Sequence, residues 1–568
     1  MGLNYKIDSF DIAGFEIEYE QYRTKPLDSV CGEARVYKSY PIVYILYNNS
    51  KIYIGESSRF LKRVKEHSNI IKREKLKQLL IIYGTLFNAS VIKELETALI
   101  ACFLAEKRKV LNTGVYQKYK EYSNKIESYS DIIIPVWNDL KKMGLVTLNH
   151  KDIEMTLLYR YSPFKTLSEQ QQMIVDYVCE AIIDKEKPQH KIVVYGEPGT
   201  GKSLLTNTIV YNLVNEKGVC AENIAVILPN KTLPKLFRGL YKKLNLNVTV
   251  ATAAGIINSS KRYDTVVVDE GQRLRKYFSK DGWMFKHLDK DNVENNELQQ
   301  LKKITNNLVI FYDKYQRIRP SDIDIRTFEK GCKEFYKLKL EQQFRIRGQF
   351  KVADGKDYIS ALKNILQIEA VSYNPTVFKE YDFNIVHSMK ALERWVKDKQ
   401  SIPGAERSRI LSGYAFEWIS KKDSGKYDFI EGDFKRRWNK NSEKWTEQKN
   451  SKDEVGCTHA VLSVDLNYVG VIIGDDIDIS EDGKLIPNRD SFYDINGKTI
   501  KNEDPDDSQL LEYIKNNYYR NLLGGLYREN PVKSRNYEAV KSSKKWENVG
   551  NSYIIREYEK ISVNKILL

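Results

Sequence analysis

The fold is decided by one stretch, Lys191 to Leu205, which reads KIVVYGEPGTGKSLL. Ile192 to Tyr195 is a short apolar run of the kind that fills a buried parallel strand. It runs directly into Gly196, Glu197, Pro198, Gly199, Thr200, Gly201, Lys202 and Ser203, and an apolar helical pattern follows. Strand, glycine-rich turn, Gly-Lys-Ser and helix together form the G-x-x-x-x-G-K-[ST] phosphate loop in its proper setting. Glycines let backbone N–H groups curl around phosphate oxygens. The helix N-terminus adds favourable partial charge. Lys202 is placed to reach the β- and γ-phosphates of ATP, and Ser203 to hold Mg²⁺.

Downstream, Ile224 to Leu228, Thr265 to Val268 and Leu308 to Tyr312 are further strand-length apolar runs. The second ends in Asp269-Glu270. Two acids at a strand's carboxyl end suit metal–nucleotide chemistry, with Asp269 holding Mg²⁺ through water and Glu270 orienting the hydrolytic water. Parallel α/β sheets bind ligands at this end of their strands.

The chain has 568 residues, which implies several domains. Its net charge of +15 suits an acidic partner, nucleic acid first. Cys31, Cys102, Cys179, Cys220, Cys332 and Cys457 are scattered with no C-x-x-C pair, which excludes a disulfide scaffold or a zinc finger. The opening MGLNYKIDSF has neither the basic start nor the apolar core of a signal peptide. No apolar run is long enough to span a bilayer. A cytoplasmic protein without a membrane partner is expected.

Toward the N-terminus, IVYIL and KIYIG flank Asn48-Asn49-Ser50, a hairpin signal. SSRFLKRVKEH then reads as a basic helix with Arg63 and His67 on one face. Arg59 to Lys77 carries eight Lys/Arg against two Glu, which suits contact with backbone phosphates. VIKELETALIACFLAEKRKVLN reads as an amphipathic helix. These residues resemble the GIY-YIG endonuclease family over about 41–113. Ile42-Val43-Tyr44 stands for Gly-Ile-Tyr, and Tyr53-Ile54-Gly55 matches the second half. Arg63 and His67 follow at the family's spacing, Glu96 opens its E-x-x-L-I helix, and Leu111-Asn112 resembles its closing Asn.

The resemblance implies phosphodiester cleavage with one metal. Glu96 would bind Mg²⁺, Tyr44 would be general base with help from Tyr53 or His67, and Arg63 would offset transition-state charge. The departure is Ile42 in place of the family's Gly.

Beyond residue 165 a second resemblance begins, to superfamily 1 helicases. Leu167 to Gln171 resembles the Q motif, whose Gln reads adenine. Gln171 fits the spacing best, Gln170 is the alternative, and Ser168 also suits a helix N-cap. Asp313 to Gln316 resembles motif III, and Leu340 to Arg345 resembles motif IV, with Arg345 one finger on the γ-phosphate. Arg409 to Trp418, Trp438-Asn439, and Val455 to His459 running into NYVGVIIGDD resemble the Schlafen group 3-like DNA/RNA helicase domain. Two motifs depart from that family. Motif V reads His459-Ala-Val-Leu-Ser463-Val-Asp465, with the Gln, Gly and Glu slots altered. Motif VI reads Asn521-Leu-Leu-Gly524-Gly525 and lacks its Arg, though Arg520 and Arg528 are near. These departures favour ATP binding over fast hydrolysis. His459, with no second ligand at metal spacing, is expected to hydrogen-bond or face nucleic acid.

The expected architecture is α/β, a small mixed α/β GIY-YIG domain followed by tandem RecA-like parallel-sheet P-loop NTPase domains. Its parts are an N-terminal extension (1–40), the nuclease domain (41–115), a connector (116–165) whose Ile132 to Leu148 packs on the next domain, a first RecA-like domain (166–345), and a second with a basic C-terminal segment (346–568). The expected function is a Mg²⁺-dependent endonuclease, acting on DNA rather than RNA, coupled to an ATP-binding helicase-like module. Phage defence or DNA processing is the expected setting. The rival readings are an ATP-driven translocase, or an ATP-sensing switch, with a GIY-YIG fold that does not cut.

Overall fold

The apolar runs at 42–46, 192–195, 224–227, 265–268 and 308–312 become strands in the computed structural model. It describes residues 5–106, 108–112, 129–165, 167–186, 189–228, 232–276, 296–342, 356–372, 381–402, 405–441, 445–461, 466–494, 505–523 and 535–541. The chain divides into two compact units. One holds Met1–Asp184, Ser203–Ile224 and Lys235–Thr249, and the other holds Lys185–Lys202, Ala225–Pro234 and Val250–Leu568.

The first unit is built on strands β1 (Tyr5–Asp11), β2 (Ile42–Tyr47), β3 (Lys51–Ser57), β4 (Gln78–Gly84) and β5 (Lys109–Val110), in the order β1-β4-β2-β3-β5. β2 and β3 form the expected antiparallel hairpin, with Tyr44 opposite Gly55 and Leu46 opposite Tyr53. Asn48 Oδ1 accepts from the N–H groups of Ser50 at 2.9 Å and Lys51 at 2.8 Å, which closes the turn in the usual Asn manner. Tyr44, Leu46 and Tyr53 face a core that includes Phe15, Tyr37, Phe60 and Val64. The helix Ala89–Ala105 starts at Asn88, whose side chain caps Ser90 and Val91, and it packs against β2 and β3.

Two segments differ from expectation. The stretch ahead of residue 41, read as an extension, supplies the strand β1, which pairs antiparallel along all of β4. The adjacent polar Asp8 and Ser9 break the alternation that marks a strand, and Asp8 accepts from the buried Tyr37 hydroxyl. Ile132 to Leu148 packs within this unit. The Trp137 ring meets Phe103 edge-on at 5.0 Å. The Glu106 carboxylate accepts from the N–H groups of Thr147 and Leu148, both at 3.0 Å. The basic segment 59–77 is also two helices, Phe60–Glu66 and Ser68–Glu74, that meet at His67.

The second unit carries two sheets. β6 (Lys191–Gly196), β7 (Ile224–Ile227), β8 (Thr249–Ala251), β9 (Thr265–Val268), β10 (Asn307–Tyr312) and β11 (Tyr336–Leu340) make a six-stranded sheet, ordered β11-β6-β10-β9-β7-β8. β11, β6, β10 and β9 run parallel. The near-continuous apolar sequences of β6, β9 and β10 match burial on both faces, whereas β11 at the sheet edge is polar and largely exposed. The other sheet holds β12 (Tyr381–Val386), β13 (Arg409–Ser412), β14 (Phe429–Glu431), β15 (Phe434–Trp438), β16 (Glu454–Cys457), β17 (Val469–Ile473) and β20 (Arg535–Lys541), ordered β12-β20-β17-β13-β16-β15-β14. All its pairings are parallel except β14 with β15. A small ribbon, β18 (Ile477–Ile479) with β19 (Leu485–Pro487), stands beside it. Among the described residues no helix is long and apolar enough to cross a membrane.

Candidate functional site

In the first unit the hairpin register determines where the tyrosines lie. Tyr44 sits opposite Gly55, and a Cβ added there would fall 2.4 Å from both Cζ and Oη of Tyr44. Only glycine lets the Tyr44 ring lie across β3. Its hydroxyl is 2.7 Å from His67 Nε2. The Tyr53 ring stacks at 6.2 Å from Tyr44 and 4.7 Å from His67. His67 is presented at the break between the two basic helices, and Arg63 one turn earlier ion-pairs with Glu66 at 2.8 Å.

Burial controls the charges here. It pushes the Tyr44 hydroxyl far above an ordinary phenol, reinforced by Tyr53 and opposed by Arg63. It pulls His67 down to about 4, with Arg63 acting in the same direction. His67 is therefore neutral near pH 7, and its Nε2 can accept from the protonated Tyr44. Glu96, only 4% exposed, is raised to about 8 by burial first and then by Glu56, with Arg63 and Lys93 opposing. Its Oε2 is buried without a hydrogen-bond partner. A buried carboxylate with an unbonded oxygen is costly unless a cation or proton compensates it, so Glu96 fits a divalent cation such as Mg²⁺. Among the described residues, no group of three or more His, Cys, Asp or Glu side chains forms a ready metal cage.

Asn112 stands just after β5 and reaches across to β3. Its Oδ1 accepts from Ile54 N at 3.1 Å and its Nδ2 donates to Ile54 O. It ties the chain after β5 to the middle of β3, so it is a positioning residue.

In the second unit β6, β9 and β10 run parallel, so their following residues gather at one edge. Gly199 and Gly201 take φ of 85° and 93°, conformations that favour glycine and bend the loop back on itself. Lys202, 6% exposed, donates to Gly196 O at 2.7 Å, Glu197 O at 3.0 Å and Asp313 Oδ2 at 3.1 Å. Thr200 Oγ1 donates to Glu197 O at 2.9 Å. Pro198 lies between these loop positions, and Ser203 follows Lys202 in the helix Lys202–Asn215.

Asp313 also accepts from Tyr315 N at 3.1 Å and from Gln316 Nε2 at 2.8 Å. Gln272 Oε1 accepts from Asp313 N at 3.1 Å, and Gln272 Nε2 donates to Glu270. Asp269 is fully buried at the end of β9, and its N–H donates to Ile227 O. Glu270 takes a left-handed φ of 63°, unusual for a non-glycine residue. One network of hydrogen bonds thus joins Lys202, Asp313, Gln316, Gln272 and Glu270.

Gln171 closes a capping box with Ser168, its side chain accepting from Ser168 N at 3.0 Å. The expected finger Arg345, the altered part of motif V at 462–465, and Gly524-Gly525 lie outside the described residues. His459 Nε2 accepts from Arg319 Nη2 at 2.7 Å. Burial, with Arg319, Arg273 and Arg520 close by, keeps that imidazole neutral. Sequence spacing missed Lys363, 166 positions from Glu197, whose Nζ is 2.6 Å from Glu197 Oε1 and 3.7 Å from Glu369 Oε2, and the Tyr315 hydroxyl that donates to Glu369.

A family model for the Schlafen group 3, DNA/RNA helicase domain matches residues 189–526, more than half of the chain. The chain belongs to this family. The Schlafen group 3 domain thus spans the phosphate loop, Asp269, Asp313, the six-stranded sheet and every strand of the seven-stranded sheet except β20. A relative in Saccharomyces cerevisiae, described as uncharacterized protein YPL245W, is 28% identical over 339 residues, 53% of this chain and 72% of the yeast protein. Among solved structures, the DUF1998 helicase MrfA bound to DNA aligns with a TM-score of 0.32 and 11% identity. That alignment covers 70% of this chain, which spans 51% of the MrfA chain. Pif1 from Bacteroides sp in complex with ADP-AlF4 aligns with a TM-score of 0.22 and 14% identity over 42% of this chain and 57% of that one.

Proposed function

We propose that this Schlafen group 3 chain is a nucleic-acid endonuclease whose cutting domain is coupled to an ATP-binding, helicase-like module, with DNA the favoured substrate. The carrying observation is the cluster of Tyr44, Tyr53, Arg63 and His67 with Glu96, whose buried Oε2 has no partner. A divalent cation on Glu96 would supply positive charge to the scissile phosphate. Tyr44 takes a proton from the attacking water while passing its own to neutral His67 Nε2, so no free phenolate is needed. Arg63 neutralises charge that develops on the phosphate oxygens. The phosphate loop, Asp269, Glu270 and Gln316 support ATP binding in the helicase-like part.

Purified protein incubated with Mg²⁺ and supercoiled plasmid, with and without ATP, tests this directly. Wild type is expected to nick. Glu96→Ala should fall to background while still retaining DNA on a filter, and Lys202→Ala shows whether ATP controls cutting. Nicking by Glu96→Ala at the wild-type rate would refute the site. The altered motifs V and VI favour a second reading, an ATP-responsive binding module whose first domain does not cut. No nicking by wild type, together with nucleic-acid-stimulated ATP turnover, would select it.

A further inference from the structure

The motif VI arginine that resembling helicases place on the nucleotide is missing from its slot at Gly524-Gly525, yet a cation that no motif describes stands at the phosphate loop. Lys363 belongs to the helix Lys356–Ile365, whose Tyr358, Ile359 and Leu362 sit in the core of the second sheet. It is 6% exposed, and a lysine this buried is rare unless it is paired. Its Nζ is 2.6 Å from Glu197 Oε1, inside the phosphate loop, and 3.7 Å from Glu369 Oε2. It also stands 4.2 Å above the Tyr315 ring. Tyr315 is the residue whose N–H holds Asp313, the same Asp313 that holds Lys202. Two lysines thus meet one loop residue, Lys202 through the Glu197 carbonyl and Lys363 through its carboxylate.

An independent observation falls at the same place. Tyr519, on the helix Asp507–Leu522 just before the altered motif VI, is fully buried, and its hydroxyl has no hydrogen-bond partner. Its ring meets Tyr315 edge-on at 6.0 Å. Glu197, Asp313, Tyr315 and Glu369 all lie within electrostatic reach of that hydroxyl.

The geometry points to Lys363 as the second cation for the terminal phosphate of a bound nucleoside triphosphate, with the Tyr519 hydroxyl as an added donor. This rests on the reading that the loop binds ATP. The phosphate would draw Lys363 from Glu197, exchanging one carboxylate partner for a more highly charged anion. Lys202 belongs to the loop and Asp313 follows β10 of the same sheet, whereas Lys363 and Tyr519 come from helices packed in the second sheet's core. A ligand carrying a γ-phosphate would therefore be held by both, and a diphosphate by the loop alone.

Affinities for AMPPNP and ADP should be measured on the full chain carrying Lys363→Met, Lys363→Arg, Glu197→Gln and Lys202→Ala. Lys363→Met is expected to weaken AMPPNP about 10- to 100-fold and leave ADP nearly unchanged. Lys363→Arg should keep most of the AMPPNP affinity. Glu197→Gln, which releases Lys363 from its acid, should raise the preference for AMPPNP over ADP. A purely structural tie predicts equal losses for the two nucleotides, and that result would overturn the assignment. If Lys363→Met fails to fold, an unchanged AMPPNP preference in Glu197→Gln overturns it on its own. Wild type that binds neither nucleotide would instead remove the ATP reading beneath it, whereas loss of both only in Lys202→Ala would uphold that reading.

Discussion

The Glu96 cluster and the phosphate loop treat buried charge in opposite ways. Glu96 lies under β3 with an unbonded oxygen, and its carboxyl is held near neutrality by burial. Lys202 is almost as buried, yet Gly196, Glu197 and Asp313 all accept from it, and Asp313 is itself held by Gln316 and Tyr315 N. The first is a charge whose cost falls when a cation arrives. The second is a charge already compensated by its own protein, for which phosphate oxygens must compete. Ligand binding should therefore stabilise the first region strongly and rearrange the second.

The largest test of that contrast is Lys202→Ala. It leaves the 1%-exposed Asp313 without its cation, and breaking such a buried pair costs about 3–5 kcal/mol. Urea unfolding should show this without nucleotide. A loss under 1 kcal/mol would mean that Gln316 and Tyr315 N suffice for Asp313, and the contrast would weaken.

Next is Glu96→Gln. The wild-type carboxyl is ionised above about 4.5 when unfolded and above about 8 when folded. The folded state thus holds more protons across that window, and stability falls as pH rises from 5 to 8. In EDTA the Gln variant should remove about 2–3 kcal/mol of that fall, allowing for relaxation around a shift of this size. Mn²⁺ or Mg²⁺ should restore wild type at pH 8 and do nothing for the variant. An unchanged pH slope would show that Glu96 is relieved by another route.

The smallest is Gly55→Ala. The added methyl meets the Tyr44 ring, which overpacks the site by about 1–2 kcal/mol and pushes the hydroxyl from His67. Tyrosine fluorescence and nicking rate should both move. Thermal stability that falls while nicking stays constant would separate the ring's packing from any chemical task.

How much of this was legible follows from the range of each signal. The strand–loop–helix at 191–205 and the hairpin at 42–57 are local patterns, and both formed where the residues indicated. So did the acids after β9 and β10, because parallel strands bring their carboxyl ends together. β1 was hidden because its partner β4 lies some 70 residues away and Asp8-Ser9 interrupt its polar–apolar alternation. Trp137 carried no sign of which neighbour it would choose. Lys363 is 166 residues from Glu197, and no spacing rule reaches that far. The motif shows where Asn112 stands, and the fold shows that its amide pairs with the Ile54 backbone.

Glu270 has a consequence for the history of this chain. A side chain at φ 63° carries a standing conformational cost that glycine or asparagine would escape, about 1 kcal/mol or more. Random drift at this codon therefore has a downhill direction, away from glutamate. A lineage that kept the carboxylate did so against that slope, and one that let it go should show glycine or asparagine there first. The residue found at this single position across descendants would record whether the carboxylate was still under selection.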